Sequence, residues 1–299
     1  MALRLRKTKL MMFAVDLSIV IVAGVALLLV HVLVKPFDRG FFCDDETIQH
    51  PYREDTVPMP LCAAIGVAVA VSSFFVIECS LSLGCKKTRD RRPIHVLWTI
   101  AKLMAIFCFG VGSTLILTET GKLCLGRLRP NFLTVCKPNI SAINCTRFVE
   151  YFTCTNTELS EKIILDSRKS FPSGHSSFVA FTAIFLGVYY EKRLKLEFSV
   201  FLKTFLQIIL AVLALFTMFS RVSDYKHHWS DVLGGAFLGV ATGVWTVCCL
   251  GCHIGLRAMS SAHQTHMSPV LDTQHLPLSD PCTPEPATFL SPNFDKIDV

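Results

Sequence analysis

Charge is what this sequence has least of: Asp, Glu, Lys and Arg make up only 17% of its 299 residues, while 52% are hydrophobic and the mean hydropathy is +0.49. Such a chain has too little polar surface for an ordinary soluble domain, and an integral membrane protein is expected. A basic face with interleaved aromatics is also missing. The net charge of +6 comes from short cationic clusters beside apolar runs, the distribution of membrane-orientation signals, which argues against a nucleic-acid partner. No cleavable signal peptide is evident, because the apolar run after Arg4, Arg6, Lys7 and Lys9 extends about 25 residues, longer than a signal core and long enough to span. Nowhere do carboxylates cluster in a way suited to Mg²⁺.

What is present is six apolar segments, about 10–34, 59–83, 94–117, 172–190, 198–219 and 230–250, each near the roughly 20 residues a bilayer core requires. The fourth is the shortest. Lys- and Arg-rich short segments mark the cytoplasmic side: the amino terminus, Lys86 to Arg92, and Lys192-Arg193-Leu194-Lys195. They alternate correctly with six spans and put both termini in the cytoplasm. The division that follows is a cytoplasmic amino terminus (1–9), a six-span domain (10–250) and a tail (251–299).

The first exported loop, about 35–58, is acidic, with Asp44, Asp45, Glu46, Glu54 and Asp55. The second, 118–171, carries the glycosylation sequons Asn139-Ile140-Ser141 and Asn144-Cys145-Thr146. With Cys124 excluded, Cys43, Cys136, Cys145 and Cys154 form an even exported set from which one or two disulfides are expected, with pairing left open. A disulfide at Cys145 would interfere with glycosylation at Asn144. Asp16, Glu78 and Lys102 fall at similar depth, roughly 9–13 Å from the cytoplasmic ends of spans one to three, and are expected to form a buried charge cluster. Cys248, Cys249 and Cys252 are palmitoylation candidates. Beyond about 258 the chain is Pro-, Ser-, Thr- and His-rich without periodicity, so a disordered tail is expected. In it, Ser268-Pro269, Thr283-Pro284 and Ser291-Pro292 are phosphorylation candidates, and the terminal Ile297-Asp298-Val299 offers a carboxylate and apolar side chains to a strand-adding, PDZ-type domain.

Three polar motifs fall on the exported side. Lys122 and Arg129 are seven apart, so if the third span continues this far they share one helix face, which Pro130 would then end. Phe171-Pro172-Ser173-Gly174-His175-Ser176-Ser177 opens the fourth span. Its free N–H groups and dipole make an anion site, to which Ser173 adds a hydroxyl, Gly174 a close backbone approach and His175 a titratable proton. Ser220 to Asp231 joins the last two spans and holds Arg221, a planar donor fork, together with His227 and His228. Asp231 lies four residues after His227 and three after His228, so spacing alone does not choose which imidazole the carboxylate orients. Each motif singly has an ordinary explanation, as a helix start or a membrane-interface segment. Those explanations would have to hold three times on one membrane face.

Lys122 with Arg129-Pro130, Pro172-Ser173-Gly174-His175, and Ser220-Arg221 followed at fixed spacing by His227 and Asp231 resemble the three signature motifs of the type 2 phosphatidic acid phosphatase (PAP2) superfamily. The likeness covers about residues 10–250, no motif position departs from the pattern, and the flanking residues resemble the lipid phosphate phosphatases. It implies an all-α integral membrane protein, a six-helix PAP2-type bundle. His227 would be the nucleophile that forms a phosphohistidine, Asp231 its orienting partner and His175 the general acid and base. Lys122, Arg129, Arg221, Ser173 and the Gly174 amide would hold the phosphoryl oxygens without a metal. The implied substrates are phosphatidate, lysophosphatidate, ceramide 1-phosphate and sphingosine 1-phosphate. They would be met at the outer face of the plasma membrane, or on the lumenal side of the endoplasmic reticulum or Golgi. The alternatives are a phosphatase for a dolichyl or sugar phosphate, a catalytically silent adhesion scaffold, and a transporter. The last is disfavoured by the absence of Gly/Pro-broken spans in matching halves. A homo-oligomer is compatible with all of these.

Overall fold

The computed structural model describes residues 2–84, 93–139, 141, 143–194, 199 and 201–250. The cationic stretch 86–92, Lys195, Cys252 and the tail with its Ser/Thr-Pro pairs and terminal Val299 lie outside them. The elements are α1 (Ala2–Leu33), a 3₁₀ turn (Glu46–Ile48), α2 (Met59–Gly84), α3 (Pro93–Leu125), α4 (Phe132–Cys136), α5 (Glu161–Asp166), α6 (Gly174–Arg193), α7 (Phe201–Ser223) and α8 (Trp229–Leu250). Among the described residues the extended pairing is limited to two isolated bridges, Phe41 with Val149 and Pro138 with Cys154.

Among the described residues four helices are long and apolar enough to cross a membrane: α2 over Met59–Leu83, α3, α7 and α8. The apolar stretch of α1 within the described residues, Ala14–Val30, is shorter. α6 is the informative exception. It packs against α2, α3, α7 and α8, so little of it faces lipid and its surface is freed from being uniformly apolar. Its inner face carries Phe181, Phe185 and Tyr189, which meet Phe74 of α2 and Phe107 of α3 in edge-to-face and tilted contacts 5.0–6.3 Å between centroids.

Within a bilayer, lipid tails are as apolar as Leu, so helices associate through close packing and interhelical hydrogen bonds. Both are visible here. Gly235, Gly239 and Gly243 recur every fourth residue along the α8 face that meets α6, and a Cβ at Gly239 would collide with the Ser177 carbonyl. Thr114 of α3 shares a hydrogen bond with Thr242 of α8 (2.7 Å), and Thr118 with Ser177 of α6 (2.9 Å).

At one end of the bundle the two long connections fold together. Phe41 and Val149 exchange backbone hydrogen bonds, and Phe41, Phe132 and Phe152 form a small apolar cluster. Disulfides join Cys43 to Cys145 and Cys136 to Cys154, so the four expected cysteines pair, once between the loops and once within the second. Asn144 is exposed beside the bridged Cys145, and its Oδ1 accepts from Thr146 N and Oγ1; Asn139 Oδ1 accepts from Ser141 Oγ.

Two expectations are corrected. α3 stops at Leu125 and does not run on to Arg129. Gly126 adopts φ +51°, its N–H bonds the Lys122 carbonyl at 3.1 Å, and Phe37 N–H takes the Leu123 carbonyl at 2.9 Å. This is a left-handed helix cap, so Lys122 is helical and Arg129 is on a loop. Nor do Asp16, Glu78 and Lys102 gather. Asp16 is exposed on α1 and Lys102 lies over the Trp98 ring. Glu78 is buried, but its partners are Arg193 (2.7 and 3.0 Å) and Tyr189 (3.1 Å) on α6, because α2 packs against α6 along that depth.

Replacing Gly239 with Ala should cost about 1–3 kcal/mol through overpacking. Gly112→Ala, where a Cβ meets nothing within 4 Å, should be neutral or stabilising by up to about 1 kcal/mol. Thermal unfolding of both variants in the same detergent checks the contrast.

Candidate active site

Asp231 is the point where the motifs meet. His228 precedes the first residue of α8 and Asp231 sits in its first turn, where the carboxylate reaches back to the His228 backbone N–H at 2.9 Å, half of a capping box. The same Oδ2 accepts from Ser170 Oγ (2.6 Å) and His228 Nδ1 (3.1 Å), while Oδ1 accepts from Arg127 at 2.5 Å. The side chain is fully buried. One carboxylate therefore ties the exit of α3, the approach to α6 and the start of α8.

His227 lies just before α8, so the helical stacking assumed for an i,i+4 pair does not apply to it. Its Nδ1 is 4.0 Å from Asp231 Oδ2 and donates instead to the Ser170 carbonyl at 2.7 Å. Ser170 thus stands between them: its hydroxyl is held by Asp231 and its carbonyl holds His227. That hydrogen bond puts the proton on Nδ1 and leaves Nε2 with its lone pair. Burial first, then the charges of Arg129, Lys122 and His175, push the imidazole well below the usual histidine range. The Ser170 carbonyl works weakly in the opposite direction.

The other expected residues are gathered around this histidine. Ser173 is the N-cap of α6. It is fully buried, its Oγ accepts from Ser176 N at 3.5 Å, and its N–H bonds the Asp231 carbonyl at 3.0 Å. Its hydroxyl is therefore engaged in capping. Lys122 Nζ stands 3.3 Å from where a Cβ on Gly174 would lie, so the missing side chain admits the ammonium beside the helix N-terminus. His175 Nε2 donates to the Val57 carbonyl at 3.0 Å, and the charges of Arg221, Asp55 and Lys122 are felt at its ring.

Each expected cation has a carboxylate partner. Lys122 pairs with Glu119 at 2.6 Å, Arg129 with Asp166 at 2.8 Å, and the fully buried Arg221 with both Asp55 and Asp224 at 2.8 Å. Arg129 Nε is buried without a hydrogen-bond partner. Its backbone N–H bonds the Ser167 carbonyl (2.8 Å) and Ser170 N–H bonds the Arg127 carbonyl (2.9 Å), which lays the first motif alongside the approach to the second. Among the described residues no group of three or more His, Cys, Asp or Glu is placed to hold a metal ion.

Sequence reasoning missed Ser170, Arg127, Asp55, Val57, Asp224 and Lys226. The acidity of the first loop was the available signal for Asp55, and Arg127 sat inside a motif already read. For Val57 there was none, since it contributes a backbone carbonyl that any residue carries, and Ser170, which adds its hydroxyl to such a carbonyl, lies outside the three motifs.

Arg127→Met would leave the buried Asp231 carboxylate short of its cation, and a loss of about 3–5 kcal/mol is expected. The measurement is thermal unfolding in detergent, with Arg147→Met, an exposed arginine of the second loop, as a control that stays within about 0.5 kcal/mol.

With the geometry established, comparison with known proteins is informative. The family model described as the PAP2 superfamily matches residues 103–253. Phospholipid phosphatase 1 of Rattus norvegicus is 37% identical over 81% of this chain and 85% of its own length. For phospholipid phosphatase 2 of Homo sapiens the values are 34%, 78% and 80%. A Drosophila melanogaster protein named provisionally as a phosphatidate phosphatase is 37% identical over 75% of this chain, and the match spans 64% of the fly protein. No solved structure matches. The chain belongs to the PAP2 superfamily, among its membrane-embedded lipid phosphate phosphatases.

Proposed function

We propose that residues 10–250 form a six-span, metal-independent phosphatase that removes the phosphate monoester from phosphatidate, lysophosphatidate, ceramide 1-phosphate and sphingosine 1-phosphate. The single observation that carries the mechanism is His227: a neutral, buried imidazole with Nδ1–H committed to the Ser170 carbonyl, beside the charges of Arg129 and Lys122. Nε2 attacks phosphorus, the P–O bond to the lipid breaks, and His175 passes a proton to the leaving alkoxide. His175 then takes a proton from the water that attacks the phosphohistidine, which returns His227 and releases inorganic phosphate. Lys122, Arg129, Arg221 and the first-turn amide of Gly174 stabilise the charge on the phosphoryl oxygens, with Ser173 holding that turn in place. Asp231 positions His227 through Ser170.

The reading extends to topology. α1 and α6 complete the six spans and both termini are cytoplasmic, with 251–299 as a cytoplasmic tail. The site opens on the extracellular face of the plasma membrane, or the lumenal face of internal membranes. The acyl chain stays in the bilayer while the head group enters at the helix ends. Asn139 and Asn144 are the glycosylation sites on that same side, and the terminal Val299 is offered to a PDZ-type partner.

Phosphate release from short-chain phosphatidate in micelles containing EDTA should be lost in His227→Ala at matched expression. Full activity in that variant would sink the mechanism. The neutral imidazole is the nucleophile, so the acidic limb of kcat/KM against pH should fall below about 6.5. Removing a cation eases protonation, so Arg129→Ala should move that limb toward higher pH while lowering kcat/KM by about 10²-fold. A limb that stays in place would dissociate Arg129 from His227.

A further inference from the structure

Arg221 has no contact with solvent, and a buried guanidinium is stable only with an anion beside it. Its two carboxylates are held very differently. Asp224 is buried and fixed: Oδ2 accepts from Thr56 N–H (2.8 Å) and Arg221, and Oδ1 accepts from Thr56 Oγ1 (2.7 Å). Asp55 comes from the loop between α1 and α2, keeps 38% of its side chain exposed, and accepts from Nη1 of Arg221 at 2.8 Å, with Lys226 Nζ 3.9 Å away. Lys226 is itself buried and lies 4.2 Å from the centre of the Tyr52 ring. Asp55, Thr56 and Val57 in succession therefore engage Arg221, Asp224 and His175.

Nε and Nη2 of Arg221 are taken by Ser220 Oγ and Asp224, so a phosphoryl oxygen would meet the guanidinium at Nη1, beside the like-charged Asp55, and of the two carboxylates it is Asp55 that has water to move into. We infer that Asp55 is a resident competitor for Arg221, which phosphate displaces on entry and which reclaims the guanidinium as inorganic phosphate departs. This rests on the assignment of Arg221 to phosphate binding. Its effect falls equally on substrate and product, because the cost of displacing Asp55 does not depend on the arriving phosphate. It weakens ground-state binding and opposes product inhibition. Lys226 is released by the same movement and becomes a further cation for the incoming charge.

The opposite role, a carboxylate that merely orients Arg221, predicts the opposite sign, which makes the test decisive. Full-length protein in detergent is titrated with inorganic phosphate at constant ionic strength, reading both competitive inhibition and the shift in unfolding temperature. Asp55→Asn keeps the side-chain shape and removes the charge. It should tighten inhibition by phosphate about tenfold and lower KM, and the phosphate-induced thermal shift should grow in step. Thr56→Val, which drops the Oγ1 bond to Asp224 and loosens the same loop, should shift phosphate affinity in the same direction by a smaller factor. It carries the test if Asp55→Asn does not fold. Unchanged or weaker phosphate binding in these variants overturns the inference. The thermal readout needs no turnover, so its failure is distinct from failure of the histidine mechanism, which His227→Ala tests.

Discussion

The site depends on one buried carboxylate accepting from four donors. Asp231 holds Arg127, Ser170, and both the backbone and ring of His228. A carboxylate taken wholly out of water is costly unless its lone pairs are filled. Filling them from three separate segments is what converts a local helix cap into a tertiary clamp. The position of His227 follows from it: Ser170 is fixed by its hydroxyl, so its carbonyl is fixed, and the imidazole is held with its proton on Nδ1.

α6 explains how such polar chemistry coexists with a bilayer. Its first turn carries the Ser173 cap, Gly174 and His175, and its later turns carry the aromatic core with Phe74 and Phe107. Surrounding helices shield it, and the small residues of α8 and the threonines of α3 bring those neighbours close enough to bond it. The weak hydropathy of this segment and its central position are two aspects of one arrangement.

The cations around His227 are all paired. Lys122, Arg129 and Arg221 would repel one another if unaccompanied, and each has a carboxylate at 2.6–2.8 Å. Those carboxylates come from outside the three motifs in the cases of Glu119, Asp55 and Asp166. Burial first, and then the same crowding of cations, depresses the basicity of His227.

Composition and motif spacing by themselves determined that this is a helical membrane protein and singled out polar side chains that the fold gathers around His227. Apolar runs and clustered cations are read one residue at a time, and the reaction demands particular residue types at short separations. The four bridged cysteines were legible for the same reason, although not their pairing. Tertiary structure alone decided what each of those side chains touches. It ended α3 at Gly126, gave Glu78 to Arg193, placed Ser170 between His227 and Asp231, and brought Asp55 to Arg221 across 166 residues of sequence. A backbone carbonyl carries no signature of residue type, and an acidic loop does not say which cation each of its carboxylates will meet, so only the folded packing of the helix ends could select these partners.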